Sequence, residues 1–81
     1  MIKAEMEHRR EIPDALLVAY LDMRGFHIKP RTLSSGRITF EVSGNKLDEE
    51  LELYYQNPKV PINSFCASYK KIKSMLYNLK V

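Results

Sequence analysis

Phe26-His27-Ile28-Lys29 and Arg37-Ile38-Thr39-Phe40-Glu41-Val42 alternate apolar and polar residues, the second with Ile38, Phe40 and Val42 on one side. That period of two predicts a pair of half-buried β-strands. Between them, Pro30-Arg31-Thr32-Leu33-Ser34-Ser35-Gly36 has turn formers at both ends. So short a connection predicts antiparallel neighbours, because a parallel crossover needs a dozen residues or more. A lone hairpin is marginally stable in water, so its apolar face requires cover from the rest of the chain. The flanking segments have helical periodicity, and strands grouped between helices place the chain in the α+β class.

Upstream, Ile12, Leu16, Tyr20 and Met23, with Leu17 alongside, recur at spacings of three and four and predict a first helix from Ile12 to Arg24. Pro13 suits a first helical position, Asp14 complements the helix dipole, and Gly25 can supply the left-handed residue that closes the helix. Val18 and Leu21 fall outside the stripe, which predicts cover on more than one side. Downstream, Ser43-Gly44-Asn45 is read as the end of the strand, with Asn45 and Asp48 as an imperfect capping pair. Leu47, Leu51, Tyr54 and Tyr55 form the stripe of a second helix that Asn57-Pro58 ends. Ile62, Phe65, Cys66, Tyr69, Ile72, Leu76 and Leu79 predict a third helix from about Pro61 to Asn78, whose stripe is the strongest pattern in the chain. The expected architecture is helix-strand-strand-helix-helix, an antiparallel β-hairpin packed by three helices. Residues 12–81 form a single domain behind a polar N-terminal arm, residues 1–11, that is either loose or an extension of the first helix.

With 81 residues there is room for one core. A content of 44% hydrophobic and 28% charged residues, with 3 Gly and 4 Pro, excludes disordered and low-complexity classes. The single cysteine, Cys66, cannot form an internal disulfide, and with only His8 and His27 it cannot assemble a zinc site, so no metal or cofactor is expected. The charged N-terminus lacks the apolar run of a secretion signal, and no stretch approaches the ~18 apolar residues of a membrane span. A cytoplasmic protein without membrane association is expected.

Asp14-Ala15-Leu16-Leu17-Val18-Ala19-Tyr20-Leu21, Arg24-Gly25-Phe26, a hairpin, and Val60-Pro61 leading to Phe65, Ala67, Tyr69, Ile72 and Leu76 together resemble a group of small uncharacterised domains of phages, mobile elements and prokaryotic genomes. The resemblance spans Asp14 to about Tyr77. It implies a compact α+β fold and an accessory protein of a mobile element, and it transfers no functional residue.

Catalytic patterns fail one by one, and no enzyme activity is expected. Cys66 lies on the apolar stripe of the third helix, where a buried, inert thiol is expected. His27 is on the polar side of a strand with no acidic neighbour in sequence, Ser34-Ser35-Gly36 is a hairpin loop, and Asp48, Glu49, Glu50 and Glu52 serve a helix start. The net charge of +3 is modest, but its distribution is uneven. From Pro58 to Val81 there are five lysines and no acidic residue, whereas from Lys46 to Asn57 one lysine stands against Asp48, Glu49, Glu50 and Glu52. Lys70, Lys73, Tyr77 and Lys80 fall at steps of three and four, a basic stripe that can track phosphates and offer one ring for stacking on DNA or RNA. Arg31 and Arg37, flanking the hairpin loop, can add to such a surface. The bland alternative is a solvated face whose lysine stems cover apolar surface and whose amines complement the helix dipole. A second functional class is a protein-interaction or homodimerisation module, suggested by Val18, Leu21, Leu53, Met75 and Val81 lying off the stripes and by an acidic helix followed by a basic one.

Overall fold

The structure is a computed structural model that describes residues 7–80, with the side chains of Glu7 and Lys80 left undescribed. Its elements are β1 (Glu7–Ile12), α1 (Ala15–Met23), β2 (His27–Thr32), β3 (Ile38–Asn45), α2 (Leu47–Tyr55) and α3 (Ile62–Lys80). The strands make one antiparallel sheet in the order β1-β3-β2. The α+β class and the three helices are as expected, but the order is not. A strand precedes the first helix, and the hairpin is part of a three-stranded sheet. Residues 7–11 of the expected arm belong to β1 together with Ile12, which its spacing had assigned to a helix; residues 1–6 of that arm lie outside the described residues.

Register decides which side chains meet the helices. Ile12, Phe40 and Pro30 stand opposite one another across the sheet, as do Arg10, Val42 and Ile28. Opposed residues share a face. Phe40 and Val42 are fully buried on this face. The other face carries the rows Arg9, Ser43, His27 and Glu11, Glu41, Lys29, then Thr39 beside Arg31, and its basic residues are exposed. β3 runs through the expected break to Asn45. At Gly44 a Cβ would lie 2.4 Å from the Phe26 ring, so bare backbone is what lets that ring pack there.

α1 is capped by Asp14, so Pro13 is not its first residue: the Asp14 carboxylate accepts from the backbone N–H of Leu16 at 3.0 Å and of Leu17 at 3.4 Å. It ends as expected at Gly25 (φ 97°), with Phe26 N–H donating to the Leu21 carbonyl and Gly25 N–H to that of Asp22, each at 3.0 Å. Leu17, Val18, Ala19, Tyr20 and Leu21 are buried in succession, because α1 touches the sheet, α2 and α3. Val18 and Leu21 therefore complete the core instead of forming a surplus surface, while Leu16, on the expected stripe, is exposed. α2 follows β3 through Lys46, which caps it in a left-handed conformation (φ 63°) without a side-chain bond, in place of the Asn45–Asp48 pair.

α3 is the outer layer. At about 1.5 Å per residue its 19 residues extend well past the nine of α1, its main neighbour. Only a seam is covered: Ser68 and Ile72 are buried, Phe65, Tyr69, Met75 and Leu76 are half-buried, and Ile62 and Leu79, near the helix ends, are exposed. Cys66 is exposed as well, which corrects the expectation of a buried thiol, since its position turns away from the seam.

Candidate nucleic-acid interface

Lys70, Lys73 and Tyr77 lie along one exposed side of α3, and Tyr77 is 72% accessible. Lys80 ends the same helix, and its side chain lies outside the described residues. Two groups on this helix are already engaged. Lys71 pairs with Asp22 at 3.0 Å, and the Lys73 ammonium stands 5.5 Å from the centre of the Tyr69 ring, which is itself parallel to Phe65. α3 contains no acidic residue, and among the described residues neither Lys70 nor Lys73 has a carboxylate partner. Two of the four acidic residues of α2 pair elsewhere: Asp48 accepts from Arg10 at 2.7 Å and Glu50 from Arg24 at 2.9 Å.

Of the two arginines of the expected surface, Arg31 is on the sheet face turned away from the helices, where it pairs with Glu11. Arg37 is exposed at the hairpin loop, its carbonyl accepting from Leu33 N–H at 2.7 Å. The open sheet face is of mixed charge, with Arg9 and Glu41 3.4 Å apart, and His27 is exposed on it.

A second feature, absent from the expectations, is a cleft of about 460 Å³ between α1, α2 and the start of α3, walled by Tyr20, Tyr54, Tyr55 and Phe65. The Tyr20 hydroxyl donates to Glu50 Oε2 at 2.7 Å, and that carboxylate oxygen also accepts from Arg24. Burial, reinforced by that bond and the Glu50 charge, raises the Tyr20 pKa above its ordinary value. Tyr54 is raised too, by burial first and then by the charge of Asp14. The cleft assembles from three separate elements; the tyrosine pair 54–55 just before Asn57-Pro58 was its only sequence signal.

Fold and surface thus define a small α+β domain with a three-stranded antiparallel sheet covered by helices on one side. The chain belongs to a family described as a domain of unknown function (DUF5659), whose model matches residues 9–78. No curated protein and no solved structure matches it. The match agrees with the resemblance to small uncharacterised domains and says nothing of phage or mobile-element origin. Among the described residues no helix is long and apolar enough to cross a membrane, and no group of three His, Cys, Asp or Glu is placed to hold a metal ion.

Proposed function

We propose that this protein is a non-enzymatic binding protein that contacts DNA or RNA through the outer side of α3. The observation that carries the reading is the pair Lys70 and Lys73, exposed beside Tyr77 on a helix without an acidic residue and with no carboxylate holding them among the described residues. A lysine bound to a carboxylate must give up that partner to reach a phosphate; these two need not. Lys80 continues the stripe, and the contact needs neither Arg31, which Glu11 holds on the far side of the sheet, nor Arg37. A cytoplasmic setting, which rests on the sequence expectation of neither a secretion signal nor a membrane span, and an accessory role in a phage or mobile element, which rests on the family resemblance alone, belong to the same proposal.

The test is fluorescence anisotropy with labelled single-stranded and duplex DNA over a salt series. Replacing both Lys70 and Lys73 by Gln should weaken binding to all sequences alike and reduce the salt slope by about 1.4 on single strands, from roughly 0.7 for each phosphate contact. Tyr77→Ala should cost about 1–3 kcal/mol on single strands and less on duplex, where no unpaired base is free to stack. Wild-type protein that binds neither DNA nor RNA at low salt eliminates the reading.

The second reading, a protein-interaction or homodimerisation module, is favoured by one observation. The ring-walled cleft is open to solvent, with Tyr55 74% and Ile62 65% accessible at its margin.

A further inference from the structure

The charge around the cleft points to what fits it. Tyr20 and Tyr54 stand 5.3 Å apart between ring centres at 57°, and Tyr54 and Tyr55 stand 5.2 Å apart at 84°. All three rings line the cleft, and a tyrosine ring attracts a cation to its face. α2 carries Asp48, Glu49, Glu50 and Glu52 and no basic residue. Asp48 and Glu50 are engaged with arginines, whereas Glu49 and Glu52 are exposed and have no cationic partner among the described residues. Glu52 stands one helical turn before Tyr55, on the neighbouring surface. Among the described residues no charged one lines the cleft; Lys59, between Pro58 and Val60, is exposed outside the lining, and Arg24, behind Tyr20, is held by Glu50. The rings and the Glu52 carboxylate, unpaired among the described residues and one turn from Tyr55, therefore act in the same sense: they favour a positive group over phosphate.

We infer that this cleft docks an arginine or lysine side chain carried by an apolar segment of a protein partner, with the cation against Tyr54 and Tyr55, Glu52 nearby, and the flanking residues on Pro58, Val60 and Ile62. The volume of about 460 Å³ falls within the ~300–1,000 Å³ of ordinary ligand sites and accommodates neighbours of the basic residue as well. The inference deepens the protein-partner reading by naming what docks. It leaves Lys70, Lys73 and Tyr77 free for nucleic acid.

The experiment is an NMR titration of the ¹⁵N-labelled protein with two short blocked peptides, one having an arginine between apolar residues and the other the uncharged isostere citrulline in its place. Expected are shifts at Tyr54, Tyr55 and Phe65 with the arginine peptide and affinity about fivefold lower for the citrulline peptide, as a cation–π contact of this exposure implies. Tyr55→Leu, which keeps an apolar group and removes the ring, should lower arginine-peptide affinity by a similar factor. Glu52→Gln should weaken it too, and Lys70→Gln/Lys73→Gln should bind like the wild type. Equal binding of both peptides overturns the cationic assignment and leaves a merely apolar docking cleft, which still serves the protein-partner reading. No shift at the cleft with either peptide, or shifts there with single-stranded DNA, overturns the inference altogether.

Discussion

Phe40→Ala should lower the free energy of unfolding by about 3–5 kcal/mol, the cost of deleting a buried ring and leaving a cavity. Phe40 is fully buried on β3, the central strand, in the row that joins Ile12 of β1 and Pro30 of β2 beneath α1. Neighbours on both sides belong to paired strands, so the site cannot collapse into the void without disturbing the ladder. Against a total of about 4–12 kcal/mol for a chain of this size, the variant should be close to half unfolded or show a much reduced urea midpoint. A midpoint that stays where it was would mean that this sheet face is not the core.

Ile72→Ala should cost about 2–5 kcal/mol and Cys66→Ser less than about 0.5 kcal/mol, although both residues lie on the same apolar stripe of α3. Ile72 is fully buried in the seam against α1, whereas Cys66 is exposed. Phe65→Ala should fall between them despite its larger side chain, because Phe65 is half-buried and borders the open cleft. Urea unfolding of the three variants in parallel checks the ranking. A Cys66 variant as damaged as the Ile72 variant would place the core on the wrong side of α3.

The same residues show where sequence reasoning reached the structure and where it stopped. The β2–β3 hairpin was legible because its two strands bury one face and expose the other, which writes an alternation into Ile38, Thr39, Phe40, Glu41 and Val42. β1 wrote none. It is an edge strand whose His8, Arg9, Arg10 and Glu11 are all exposed, and among its described side chains Ile12 alone is buried. Charges on such an edge discourage further pairing and at the same time erase the apolar signal. Ile12 could then be absorbed into the helix that follows, since its spacing to Leu16 suits a helix equally well. The third helix was overvalued for the opposite reason. Apolar periodicity records which residues can share a face, not how much of that face a short neighbour covers, and α1 covers only the middle. Among the candidate site residues, Lys70, Lys73 and Tyr77 were legible together because helical spacing alone sets their common side. Arg31 was misplaced because its side of the sheet depends on pairing register.

The unequal cover of the helices also has a consequence for how relatives of this chain are free to diverge. α1 has five successive buried positions, 17–21, and almost any exchange there alters packing on two sides, so drift should be confined to apolar residues of similar volume. Apart from the Lys71–Asp22 pair and the Lys73 contact with the Tyr69 ring, each worth little at an exposed site, the outward positions of α3 make no contact among the described residues that would resist exchange, so structural need leaves them nearly free to vary. A lysine retained there across otherwise dissimilar family members would record selection by something outside the molecule, since the fold makes at most a weak demand for it. An alignment of the family in which positions 70 and 73 stay basic while 63 and 66 wander would carry that record. One in which all four wander together while 17–21 hold would show a scaffold kept for its shape, with the α3 surface left to chance.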